Sequence, residues 1–282
     1  MSATQKINNR IKKLGIIAGG GDIPAHLIDV CKSKDITPFI VGFKGQTEEL
    51  LIDGNDYGIW SNIGSASKII SHFKSNDVKD LVMIGHMNRP ALSEIKPDIK
   101  AVKMLSRIGI KSFGDNSLLE ALKEELENEG FKIHGFHEFC DDWLVKEGIL
   151  GTTKPHPCDS KSIDEGIKIS QAMGALDIGQ SIIIQDGIVI GVEAVEGTDE
   201  LIKRCKPLIK KGRGGILVKT CKPNQDRAFD LPTIGVVTIN NAKDSGLVGV
   251  VIEAENAIMV DPKKVLDCAN KSKIFVLGIR LT

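Results

Sequence analysis

A short apolar run, Leu14 to Ala18, breaks off directly into Gly19-Gly20-Gly21, and beyond Pro24 apolar residues return at helical spacing at Ala25, Ile28 and Val30-Cys31. Read in order, this is strand, glycine turn, helix. A second apolar run follows at Pro38 to Val41. A third, Asp80 to Gly85, ends in a turn that holds His86, Asn88, Arg89 and Pro90. Strands that alternate with helices imply a parallel sheet with helices packed on its faces. A further helix is predicted over Ser117 to Asn128, with Leu118, Leu119, Leu122 and Leu126 on one stripe, closing at Gly130.

The second half predicts a helix near Ile163 to Met173, then short apolar runs separated by turns. The runs are Ser181 to Gln185, Ile188 to Ala194, Gly215 to Lys219, Ile234 to Ile239, Leu247 to Ile252 and Ile274 to Ile279, with helices at Glu200 to Cys205 and Ala242 to Gly246. Residues 137 to 162 are richer in Pro, Gly, Thr and Asp, a composition that marks a linker. The reading is therefore an α/β chain of two domains, residues 1–135 and 163–282, joined by 136–162. A length of 282 residues, 41% hydrophobic, suits two domains better than one.

Charge narrows the function. Lys plus Arg and Asp plus Glu balance at 37 each, which removes the basic excess that a nucleic-acid partner selects. Aromatic residues are only 4%, too few for a base-stacking platform. No apolar run reaches the roughly 18 residues of a membrane-spanning helix. The polar, basic start MSATQKINNRIKK does not read as a secretory signal, so the cytoplasm is the expected compartment. Six scattered cysteines without a C-x-x-C pair fit a reducing compartment and give no zinc site or disulfide framework.

Four constellations could carry chemistry. Gly19, Gly20 and Gly21 stand between strand and helix, where backbone N–H groups and the helix dipole could receive a diphosphate, although a tight turn without a ligand fits as well. Arg89 follows a strand's carboxyl end, where open α/β sheets build their crevices, and could clamp a phosphate; the plain alternative is a solvated surface turn. Glu193, Glu196 and Asp199, with Thr198, converge on one glycine turn and suit a hard divalent ion such as Mg²⁺, or else simply cap the helix that follows. The run from Lys219 to Gly235 mixes cations and carboxylates, Lys219, Lys222, Gln225, Asp226 and Asp230 among them, and its prolines would stiffen it. Asp230 is the first choice for a catalytic carboxylate because it abuts the next strand. The six histidines show no H-E-x-x-H pairing and no G-x-S-x-G nucleophile motif is present.

These pieces, LGIIAGGGDIP, GHMNRP, FGDNSLLEALKEELENEGF, LDIGQSIIIQDGIVIGVEAVEGTDELIKR and VKTCKPNQDRAFDLPTIGVVTI, are collinear over nearly the whole chain. Together they resemble the UDP-2,3-diacylglucosamine pyrophosphatase family of lipid A biosynthesis, the class built without a metallophosphoesterase fold. The resemblance implies an N-terminal Rossmann-like parallel sheet and a C-terminal α/β domain with substrate between them. It implies Mg²⁺-dependent hydrolysis of UDP-2,3-diacylglucosamine to UMP and 2,3-diacylglucosamine 1-phosphate (lipid X) in a Gram-negative bacterium. The aspartate before L-P-T-I-G, Asp230 here, is tied to catalysis in that family. It would then hold the metal or orient the water, with Asp226, Glu193, Glu196 and Asp199 as candidate helpers and Lys219, Lys222 and Arg89 as candidate phosphate donors. Asn116 stands where the family often has a second aspartate and joins the substrate-binding candidates. The acyl chains imply transient contact with the inner membrane surface, and a homodimer is compatible with the resemblance. Two rivals are a nucleotide-sugar or dinucleotide binder without hydrolysis and an NAD-dependent oxidoreductase; the second wants an acidic ribose ligand that Pro38 to Gly42 does not supply.

Overall fold

The computed structural model describes residues 10–87, 97–108, 115–223, 227–228 and 231–281. The chain divides into two compact units, Met1–Asp141 with Asp226–Asp230, and Asp142–Gln225 with Leu231–Thr282. Residues 226–230 thus belong to the first unit although the chain on either side of them belongs to the second.

The first unit is built on a five-stranded sheet in the order β3-β2-β1-β4-β5, with β1 at Lys13–Ala18, β2 at Thr37–Phe43, β3 at Gly58–Ser61, β4 at Asp80–Ile84 and β5 at Lys132–His134. Every neighbouring pair is parallel. A strand buried on both faces has no reason to alternate, which is why β1 is buried at every position after Lys13. Gly15 is required there by space, since a Cβ would lie 2.2 Å from Leu81 Cδ2 and 2.9 Å from Phe73 Cε1. The helix Asp22–Ser33 turns Pro24, Leu27, Ile28 and Cys31 inward. Ala25 and Val30, expected on that stripe, are half-buried, and Leu27 completes it. Proline is tolerated in this first helical turn because its missing N–H would have had no intrahelical partner.

The second unit has a six-stranded mixed sheet in the order β6-β13-β11-β9-β7-β8, where β6 is Gly148–Ile149, β7 Ser181–Gln185, β8 Ile188–Val192, β9 Gly215–Lys219, β11 Leu247–Glu253 and β13 Phe275–Ile279. The inner pairs β9-β11 and β11-β13 are parallel, whereas β7 runs antiparallel to both β8 and β9. Side chains on β7 alternate between two cores. Ile182 and Ile184 pack with Ile163 and Met173 of the helix Ser160–Ala175. Ile183 packs with Leu201, Ile239 and Val265 from three helices on the other face. The unbroken apolar runs of the sequence are the signature of a sheet covered on both faces.

One predicted strand is a helix. Ile234 to Ile239 reads as strand, yet only Thr233–Ile234 (β10) is extended, paired with Ile258–Met259 (β12), and Val236–Asp244 is helical. Gly235 is extended (φ −141°) and its N–H donates to Thr238 Oγ1 at 3.4 Å, which starts the helix two residues into the apolar run. Ile234 and Ile239 enter the same core from a strand and from a helix, so burial alone does not distinguish them. The helix expected at Ala242 to Gly246 is the end of this one. Among the described residues no helix is long and apolar enough to cross a membrane.

Candidate active site

In the first unit the strand order reverses between β1 and β4, the topological switch point where open α/β sheets leave a crevice at their carboxyl ends. The glycine turn sits there, and the structure gives each glycine a separate reason. Gly19 N donates to Ile84 O at 2.8 Å, while Gly20 and His86 exchange backbone bonds of 2.8 and 2.9 Å. A Cβ on Gly19 would lie 2.5 Å from His86 O, and one on Gly20 2.6 Å from Gln46 O. Gly21, at φ +89°, occupies the left-handed region and turns the chain into the helix Asp22–Ser33. The amides of Gly19 and Gly20 are therefore spent on Ile84 and His86, and a diphosphate at this edge would meet the N–H groups of the helix's first turn instead. Thr47 fixes the end of β1, donating to Ala18 O at 2.5 Å and accepting from Phe43 N at 2.9 Å.

The second unit gathers Lys219, Thr198, Glu193 and Ser181. Lys219 closes β9 and is 5% exposed; Glu193 follows β8 and is 6% exposed. Between them stands Thr198, the first residue of the helix Thr198–Cys205. Its hydroxyl accepts from Lys219 Nζ at 2.7 Å and donates to Glu193 Oε1 at 2.8 Å, with Ser181 Oγ 3.1 Å away. Glu193 Oε2 accepts from Gln180 N at 3.3 Å. One hydroxyl thus bridges a buried ammonium and a buried carboxylate, which keeps both polar groups hydrogen-bonded. Gly197, at φ +82°, makes the turn that delivers Thr198. Gly179 must be glycine because a Cβ would sit 2.2 Å from Glu193 O.

Glu196 of that turn is engaged as well. Glu196 Oε1 accepts from Arg204 Nε at 2.9 Å and from Arg204 Nη2 at 2.7 Å, and Oε2 accepts from Ala194 N at 3.0 Å. Its own backbone N–H and the Arg204 guanidinium hold this carboxyl below the ordinary glutamate range. Asp199 lies in the first helical turn, where its charge suits the helix dipole. Among the described residues no three His, Cys, Asp or Glu side chains stand together as a metal site. For Glu193 or Glu196 to ligate an ion, the bonds just described would have to be given up.

Lys222 pairs with Asp177 at 2.6 Å. The strip it follows is anchored residue by residue: Thr220 N donates to Gln180 O at 3.0 Å, Thr220 Oγ1 lies 2.8 Å from Ser170 Oγ, and Cys221 N donates to Glu253 Oε2 at 2.8 Å. Asn116 falls on the helix Asp115–Asn128. Arg89, Gln225, Asp226 and Asp230 lie outside the described residues. The structure thus brings together Glu193, Thr198 and Lys219. It adds Ser181, which sequence reading passed over because it opens an apolar run and reads as a strand end.

Residues 13–143 match the LpxI N-terminal domain and residues 146–277 match the LpxI C-terminal domain. The chain is 35% identical over 278 residues to the UDP-2,3-diacylglucosamine pyrophosphatase LpxI of Caulobacter vibrioides, an alignment that covers 95% of this chain and 98% of that protein. With both halves matched in order and nearly end to end, this chain belongs to the LpxI family.

Proposed function

We propose that this protein hydrolyses the diphosphate of UDP-2,3-diacylglucosamine to UMP and 2,3-diacylglucosamine 1-phosphate, as a step of lipid A biosynthesis. The observation that carries the reading is the end-to-end match to a UDP-2,3-diacylglucosamine pyrophosphatase. The Lys219–Thr198–Glu193 cluster supports it physically. It places a preorganised ammonium at the end of β9, where a phosphate oxygen could take over the bond that Thr198 now accepts. Lys222 and Arg89 are the further phosphate donors, and Asn116, Gln225 and the first-turn amides after Gly21 complete the substrate contacts. Asp230 holds the metal or orients the attacking water, with Asp226, four residues before it, as helper.

Mg²⁺ is proposed on the chemistry of the substrate. The described carboxylates do not form an ion site of their own. An ion that takes one or two carboxylates and fills its remaining positions with water and phosphate oxygens does not require one. The acyl chains of the substrate support transient contact with the inner membrane surface, and the cytoplasm is the proposed compartment.

The test is UMP release from UDP-2,3-diacylglucosamine with Mg²⁺, with EDTA, and by Asp230→Asn. Metal-dependent release lost in the variant supports the reading. No release from folded wild type would leave a nucleotide-sugar binder.

A further inference from the structure

Gly135 has an ordinary extended backbone, φ −82° and ψ 149°, which any residue adopts. Its lack of a side chain must therefore be a matter of space. A Cβ there would lie 2.4 Å from His137 Cε1, 2.6 Å from His137 Nδ1 and 3.0 Å from the carbonyl oxygen of Arg227. Arg227 and Ala228 are the two described residues of the stretch between Pro223 and Leu231, and Ala228 packs against the first unit's core of Phe131, Ile133 and Leu126.

The turn that presents Gly135 is held from several sides. Gly135 N donates to Glu138 Oε1 at 2.8 Å, and Glu138 Oε2 lies 2.9 Å from His134 Nδ1. His134 Nε2 lies 2.8 Å from Asp80 Oδ1, at the head of β4. The imidazole is 1% exposed and meets Phe139 edge-on, and Phe139 O accepts from Lys34 Nζ at 2.8 Å. Burying a histidine between two carboxylates is a costly way to shape a three-residue 3₁₀ turn unless the position of that turn matters.

We propose that Gly135 is the seat on which the Arg227–Ala228 backbone rests, and that His134, clamped by Asp80 and Glu138, is the positioning residue that keeps this seat in place for Arg227 and Ala228. The catalytic consequence rests on the hydrolase reading above; the seat itself does not. Asp230, the candidate catalytic carboxylate, follows Ala228 by two residues in the sequence, and neither Gly135 nor His134 is a substrate-binding candidate.

The experiment uses the full chain with Gly135→Ala, which leaves the N–H to Glu138 and the backbone angles intact. We expect kcat for UMP release to fall roughly 10- to 100-fold with KM little changed, the mark of misplacement rather than lost binding. In the same protein, brief trypsin digestion read by mass spectrometry shows faster cleavage after Arg227. His134→Gln, which keeps one carboxylate bond of the two, moves both readouts the same way. Adding His137→Ala to Gly135→Ala removes the ring contact but leaves the Arg227 contact, and does not restore kcat. Unchanged cleavage after Arg227 in Gly135→Ala overturns the seat whatever kcat does, and unchanged kcat in an active enzyme overturns the positioning role. If the wild type releases no UMP, the hydrolase reading fails separately and the cleavage rate alone decides the seat.

Discussion

Arg213 grips Asp159 with both arms of its guanidinium, Nε to Oδ1 at 3.0 Å and Nη2 to Oδ2 at 2.8 Å. Asp159 is 2% exposed and also accepts from His156 N at 2.7 Å, so the pair pins the chain just ahead of the helix Ser160–Ala175. Asp159→Ala leaves the guanidinium without its partner. The expected loss is about 1–3 kcal/mol in urea denaturation, less than for a wholly buried pair because the Arg213 side chain is 36% exposed.

The same pair sets an acid limit. Burial by itself would raise the Asp159 pKa, but the bonds from Arg213 and His156 outweigh it and hold the carboxyl below its ordinary value. A depressed carboxylate contributes stability that is present above the unfolded pKa, near pH 4, and lost as pH falls through the folded value. Melting temperatures of wild type and Asp159→Asn should therefore converge below pH 4 and stay apart at pH 6.

His134 acts in the opposite direction. Burial by itself would lower its pKa, but the bonds to Glu138 and Asp80 outweigh it and the net shift is upward. Its contribution is complete below the unfolded pKa, near pH 6.5, and is lost as pH rises through the higher folded value. The stability gap between wild type and His134→Gln should be widest around pH 5.5 and shrink on the alkaline side; a gap that grew with pH would contradict the clamp.

Lys219 donates to Thr198 Oγ1 in a buried site, so Lys219→Met leaves that hydroxyl without its donor and should cost about 1–3 kcal/mol in urea denaturation. UMP release should be lost as well, because the variant has no ammonium at the end of β9.

Gly249 faces Phe275 across β11 and β13, and a Cβ on it would lie 2.0 Å from Phe275 Cζ. Gly249→Ala should destabilise by about 1–3 kcal/mol through overpacking. Phe275→Leu in the same chain should relieve part of the loss, a sign reversal that only direct contact between the two positions produces.

Where the apolar pattern was strong and bounded by turns, the sequence was a sufficient guide: β7 and β9 run over the residues predicted, and β1 differs by one. It failed at Ile234 to Ile239, where β-branched residues serve a buried helix. The glycine turn was located correctly but incompletely understood, because the close approaches of Gly19 to His86 and Gly20 to Gln46 are long-range facts that no local pattern encodes. Thr198 was legible as a hydroxyl in an acidic turn; its place between Lys219 and Glu193 needed the sheet that sets β8 and β9 on either side of β7. Gly135 gave no signal, since its neighbour Arg227 is far along the chain.

The edge strand β6 pairs with β13 through Leu277↔Ile149, so the second unit binds its earliest strand to its latest. On a ribosome the sheet of residues 13–134 can close while the rest is still being made. The second sheet must wait until β13 has emerged, many seconds later at about 5–20 residues per second. In the last part of that interval, once Leu247–Glu253 has emerged and Phe275–Ile279 has not, β11 lacks its neighbour and exposes an open parallel edge, a surface prone to pairing with another chain. Emergence of β13, rather than growth of the core, is the event that seals this half of the protein.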